Sequence, residues 1–156
     1  MRSRLNNRAY PQANPDQWLV FIHSWQKGID PVFAARLAAL ARSRKKKIVI
    51  VSGFRTYREQ LGLFKLYKGK RALKPGTSWH EFGGAVDISS LWVRKLDNVA
   101  LPCQYELARF GLAKPFTHGN GFDPAENWHL QPLEMACITS RVSKIKFYRA
   151  YRTRKI

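Results

Sequence analysis

Acidic residues are scarce in this chain. Its 156 residues hold only 10 Asp and Glu against 28 Lys and Arg, for a formal net charge of +18. Cysteine is scarcer still. Cys103 and Cys137 lack CxxC spacing, which excludes a thiolate zinc ribbon, a dithiol redox motif and a disulfide-dense scaffold. The pair reads as two reduced, partly buried thiols, with a single disulfide as the alternative. No apolar run approaches the roughly 20 residues of a membrane-spanning helix. Arg2, Arg4 and Arg8 make the N-terminus basic, but Gln12, Asn14, Pro15 and Asp16 interrupt the place where an apolar core should follow. No secretory signal is expected. Repeats and low-complexity linkers are missing too. One domain is therefore expected over 1–156, with a basic arm at 1–13 and a basic tail from about 133 to 156.

What is present fits a globular domain with a core: 45% apolar residues and 13% aromatics. The positive charge favours polyanions such as nucleic acid, anionic lipid or an anionic cell-envelope polymer. It is clustered, in the block Arg42, Arg44, Lys45, Lys46 and Lys47 and in seven basic residues without an acid after Ser140. No zinc-finger, helix-turn-helix or RNP motif accompanies it. The tail, with Val142, Ile145 and Tyr148 at helical spacing, reads equally as an amphipathic helix, an envelope-binding face or a loose end.

Asn14-Pro15 is a helix-start signal, and Trp18, Phe21, Ile22 and Trp25 then fall on one helical stripe closed by Gly28. His23 lies off that stripe and reads as a rim residue. Asp30-Pro31 repeats the signal for a second helix with Phe33, Leu37, Leu40 and Ala41 inward. Ile48–Val51 is a β-branched run typical of a buried strand. Thr56-x-x-Glu59 is a capping box for a third helix, packed through Leu61 and Phe64 and ended by Gly69. Strands are expected at 84–89 and 128–131, a short helix at 102–110, and a loop at 114–126.

The chemistry lies in two clusters. Ser78-Trp79-His80-Glu81-Phe82-Gly83-Gly84-Ala85-Val86-Asp87 sets an imidazole seven residues before a carboxylate. Glu126-Asn127-Trp128-His129 sets another carboxylate three residues before a second imidazole. His80, Asp87 and His129 together make a His2Asp set, which leaves a zinc ion one open position for water. Glu126 is then the candidate general base, and Arg55 the cation for a developing oxyanion. His80-Glu81 does not open an H-E-x-x-H motif, because residue 84 is Gly. Each spacing alone also occurs by chance, and Trp79 and Trp128 read equally as core. His118 reads as loop surface, a cleft residue or an alternative ligand.

Jointly, Ser52-Gly53-Phe54-Arg55-Thr56, Ser78-x-His80-x-x-Gly83-x-Ala85-x-Asp87 and Glu126-x-Trp128-His129 resemble the signatures of one zinc peptidase family. It comprises D-alanyl-D-alanine carboxypeptidases and L-alanyl-D-glutamate endopeptidases acting on bacterial peptidoglycan. The resemblance spans about half the chain. It implies an α+β fold, a small antiparallel sheet carrying one zinc with helices packed on its outer side. It implies His80, Asp87 and His129 as ligands, Glu126 as catalytic base and Arg55 as the group steadying the carbonyl oxygen. Ser78 and Trp128 would line the substrate site, and Gln60 would help shape it. Gly84 is a common filler, and Gln131 stands where many members carry an acid, a departure expected to touch only the site's rim.

Size, charge and the missing signal resemble phage endolysins of this family. The expectation is a monomeric L-alanyl-D-glutamate endopeptidase, held in the host cytoplasm until the membrane is breached. Its basic surface would then meet anionic cell-wall or outer-membrane polymers. A D-alanyl-D-alanine carboxypeptidase of wall maturation is the alternative. A non-enzymatic zinc-stapled module that binds anionic polymers is the alternative of another class, and nucleic-acid binding ranks below it. The exchange Glu126→Gln is expected to leave zinc bound while lowering lysis by two orders of magnitude or more. Metal analysis beside a turbidity assay on cell walls checks it, and a fully active variant removes Glu126 from the mechanism.

Overall fold

A computed structural model of the chain describes Leu5 and residues 9–70, 72–89, 102–114 and 128–136. Among the described residues five strands form the sheet: β1 (Leu19–Phe21), β2 (Ile48–Ser52), β3 (Val86–Ile88), β4 (Leu112–Ala113) and β5 (His129–Pro132), in the order β1-β2-β3-β5-β4. The pairs β2–β3, β3–β5 and β5–β4 are antiparallel, and β1 runs parallel to β2. The helices are α1 (Pro15–Trp18), α2 (Pro31–Ser43), α3 (Tyr57–Leu66), α4 (Pro102–Arg109) and α5 (Leu133–Ala136). This is the expected α+β architecture, mostly antiparallel rather than wholly so.

The first expected helix is corrected. Asn14 does cap α1, its side chain accepting from the Asp16 N–H, but the helix stops after one turn. Leu19-Val20-Phe21 continues as β1 beside Ile48-Val49-Ile50. β-Branched and aromatic side chains suit a pleated ladder better than a helix, and the edge of β2 supplies the partner that sequence alone cannot show. The supposed stripe accordingly has no common face: Ile22 and Trp25 are 55% and 62% exposed. Trp25 stacks on His23 at 4.7 Å and donates its indole N–H to Glu59.

A connection between parallel strands must cross the sheet, and α2 makes that crossing. Asp30 caps it, one carboxylate oxygen accepting from the N–H groups of Val32 and Phe33. Phe33, Leu37, Leu40 and Ala41 are fully buried, as expected, against Ile48, Ile50, Val86, Ile88, Leu112 and Leu130. Each such large side chain contributes about 2 kcal/mol of burial. The capping box Thr56–Glu59 opens α3, with Glu59 accepting from the Thr56 N–H and Thr56 from the Glu59 N–H. Partial burial pushes the Glu59 carboxyl up, but the Thr56 and Trp25 hydrogen bonds and the Arg55 charge outweigh it and lower its pKa. Leu61 and Phe64 are only half-buried, and Gln60 is the one buried residue of α3.

Pro132 ends β5 instead of breaking it before 132, because it pairs with Leu112 of β4. The first four residues of the expected tail, Leu133–Ala136, form α5. Glu134 of α5 takes both guanidinium nitrogens of Arg36 at 2.7 Å. Arg36 is wholly buried on α2, bonds the Gly111 carbonyl at 3.1 Å and stands 4.4 Å from the Tyr10 ring centroid. Gly111 has φ +66°, and a Cβ there would sit 2.6 Å from the Tyr10 ring. The expected arm, α2, the turn before β4 and α5 are thus fastened at one point. Glu134→Leu strands the buried Arg36 charge and should cost about 3 kcal/mol in urea unfolding. Adding Arg36→Met should recover most of that loss, because the desolvated charge goes with it.

Candidate metal centre

The centre forms on the sheet face that β3 and β5 turn away from α2. Asp87 and His129 are direct cross-strand partners, while their neighbours Val86 and Leu130 pair on the buried face. Strand alternation therefore sets the carboxylate and the imidazole side by side. His80 enters from a 3-10 turn, Trp79–Phe82, that ends at Gly83 in the left-handed region at φ +69°. A Cβ on Gly83 would lie 2.8 Å from the Gly28 carbonyl oxygen, so this turn admits only glycine.

The three side chains converge. His129 Nδ1 is 3.0 Å and His80 Nε2 3.5 Å from the same oxygen of Asp87, Oδ1. The His80 and His129 rings meet edge-on, with centroids 5.1 Å apart. One ligand atom from each residue lies within 4.8 Å of the other two. Two imidazoles and a carboxylate so placed fit a divalent cation, and zinc in particular. Burial by itself would raise the Asp87 carboxyl. The attraction of His80 and the hydrogen bonds from His129 and His80 overcome it and hold the acid far below the ordinary carboxylate range. Asp87 is therefore an anion throughout the neutral range, as a ligand must be.

Surrounding groups aim each ligand. His80 Nδ1 donates to the Gly53 carbonyl at 2.8 Å, which aims Nε2 at Asp87 as the nitrogen whose lone pair would serve a cation in place of its proton. The Arg55 N–H in turn donates to the His80 carbonyl at 3.0 Å. The Arg55 guanidinium holds Asp87 Oδ2 at 3.0 Å, so Oδ1 is the oxygen left for the cation. Arg55 is itself fixed by Ser52 Oγ, at 3.0 Å from Nε and 2.8 Å from Nη2, and by Gln60 Oε1 at 3.3 Å. A bulge in β2 makes this possible. Ile50 pairs with Ile88, and an unbroken register would set Ser52 opposite Val86. The shift sets it opposite Asp87.

Other expected site residues take different places. Gln60 is buried and spans from Arg55 to the Leu73 carbonyl, at 2.8 Å. Ser78 is buried and its N–H donates to Glu81 at 3.1 Å. Trp128 is 42% exposed beside His129. Glu81 clasps the turn before His80, accepting from the Gly76 N–H at 2.9 Å, and burial raises its pKa against those hydrogen bonds and the Arg55 charge. Glu126, His118 and Cys137 lie outside the described residues, as do residues 90–101 and the chain beyond 136. Gln131 is not at the rim. It is 2% exposed and its amide nitrogen is 3.0 Å from His129 Nε2. Sequence reasoning gave Ser52, Gly53 and Gln26 no role. The first two stood inside a recognised motif; Gln26, whose Oε1 accepts from the Gly53 N–H at 3.0 Å, carried no signal.

Two strands and a glycine-ended turn that bring two histidines and an aspartate together in front of an arginine form a centre that could hold a metal ion, the donor set that zinc hydrolases use. The model of the VanY family, D-alanyl-D-alanine carboxypeptidase, matches residues 31–133, and the chain belongs to that family. Solved structures agree on the fold. VanYB in complex with D-alanine-D-alanine is 23% identical, with 78% of this chain and 82% of that one covered and a TM-score of 0.51. DacB from Streptococcus pneumoniae D39 is 23% identical over 81% of this chain and 79% of its own, also at 0.51. A mutant of the vancomycin resistance D,D-pentapeptidase VanY in complex with Zn(II) is 24% identical over 78% of both, at 0.50. Among curated proteins none matches.

A Cβ at Gly53 would stand 2.5 Å from the Gln26 carbonyl oxygen. Gly53→Ala must therefore displace the carbonyl that orients His80, and should weaken zinc binding about tenfold or more in chelator competition. Gly62→Ala, in a part of α3 where nothing stands within 4 Å, should leave zinc binding unchanged.

Proposed function

We propose that this chain is a zinc endopeptidase that cuts the L-alanyl–D-glutamate bond of peptidoglycan stem peptides as a phage endolysin. The observation that carries the hydrolytic part is the convergence of His80, Asp87 and His129 within 4.8 Å. Family membership supports peptidoglycan as the substrate, and the Zn(II) in the related D,D-pentapeptidase supports the metal. The +18 charge supports an enzyme that works at an anionic, insoluble polymer. It would accumulate in the host cytoplasm and act as a monomer once the membrane is breached.

Bound zinc supplies Lewis acidity, which polarises the scissile carbonyl and acidifies a water. The chain supplies the rest. His80 and His129 present nitrogens whose directions are set from behind, and Arg55 holds Asp87 Oδ2 so that Oδ1 is turned inward. The same guanidinium brings the positive charge assigned here to the developing oxyanion. Glu126, three residues before His129, is assigned the proton transfers. Ser78 and Trp128 are assigned to the substrate side, with Gln60 acting through Arg55.

The second reading is removal of the terminal D-alanine, favoured by the activity that describes the matching family. Mass spectrometry of peptidoglycan digested by the zinc-loaded chain separates the two. Stem peptides beginning at D-glutamate are expected. Loss of a single terminal alanine overturns the endopeptidase reading, and an undigested wall overturns both.

A further inference from the structure

We propose that Gln131 is a positioning residue for the metal, setting which nitrogen of His129 carries the proton so that the ligand is Nδ1. This rests on the zinc reading above and adds to it. His129 Nδ1 points into the cluster, 3.0 Å from Asp87 Oδ1, while Nε2 points away from it to the Gln131 amide at 3.0 Å. Gln131 follows His129 by two residues on β5, so strand alternation puts both side chains on one face. Both are buried.

A neutral imidazole has one N–H and one lone pair. An imidazole that ligates through Nδ1 must carry its proton on Nε2, and a buried N–H without an acceptor costs about 1–3 kcal/mol. In the structure the amide nitrogen of Gln131 faces Nε2 at 3.0 Å and donates to it, which matches the tautomer whose Nδ1–H donates to Asp87. Rotated by half a turn, the same side chain presents its carbonyl oxygen and accepts the Nε2 proton that ligation through Nδ1 requires. An amide at 131 thus satisfies His129 both with and without a cation, and adds no buried charge. A carboxylate there would accept only, and an apolar side chain would leave the Nε2 proton stranded.

Two measurements on the full chain test this. In the first, nitrogen-15-labelled histidine in the zinc-loaded protein reports which ring nitrogen binds metal. His129 is expected to bind through Nδ1 with its proton on Nε2; ligation through Nε2 overturns the proposal while leaving the zinc reading intact. A wild-type chain that binds no zinc overturns the zinc reading and the proposal with it. In the second, zinc affinity is measured by chelator competition, and the melting temperature of the metal-free protein is recorded alongside. Gln131→Met should weaken zinc about 10- to 100-fold while the metal-free protein, though it melts lower for want of the buried hydrogen bond, still unfolds cooperatively. Gln131→Glu, which keeps an acceptor, should hold wild-type affinity or exceed it. Wild-type affinity in Gln131→Met, or an equal loss in both variants, overturns the proposal. So does a loss matched by a collapse of the metal-free fold in Gln131→Met with Nε2 ligation in the wild type.

Discussion

The Asp87 carboxylate is the constraint around which this face of the protein is built. A buried anion is costly unless every lone pair meets a donor or a cation. Here the two oxygens are divided: Oδ1 faces His80 and His129, and Oδ2 faces Arg55. The division propagates outward. Arg55 reaches Asp87 because Ser52 holds its other edge, and Ser52 is opposite Asp87 because β2 bulges. Gln60 ties the far side of the guanidinium to the Leu73 carbonyl, which explains why a glutamine is the one fully buried residue of α3.

The other face is held by a second buried charge with a different purpose. Arg36 and Glu134 join α2 to α5, and α5 follows directly on the strand that carries His129 and Gln131. Met135, beside Glu134, packs so closely on Gly84 that a Cβ there would lie 2.4 Å from its sulfur. Gly84 is therefore more than a filler between the two ligands of its segment. The ion pair, the methionine and the glycine together set how far β5 stands from the turn that carries His80.

Much of this was legible in the sequence, for identifiable reasons. α2, β2, the cap of α3 and the ligand strands announce themselves through local signals: Pro after a capping acid, a β-branched run, a capping box. The ligand set was legible because three segments jointly resemble the signatures of one peptidase family, whereas residue type and spacing alone left it open. β1 was not, since its helical spacing was coincidental and the edge that recruits it lies some thirty residues downstream. The bulge at Ser52, the Gln26 contact with Gly53 and the burial of Gln131 were not legible either. Each depends on register or on a meeting of distant segments, and an unaligned sequence encodes neither.

Among the described residues β5 is the last strand in sequence, yet it lies inside the sheet between β3 and β4. The sheet therefore stays open as two separate pieces, β1-β2-β3 and β4, until the chain has been made at least as far as Pro132. His129 arrives with that final strand, so no partial product carries the full ligand set. Long-range pairing of this kind is slow relative to local helix formation. A hydrolase assembled in this order has no complete ligand set until β5 has been made and paired, and the closing of the sheet is also the moment at which its chemistry becomes available.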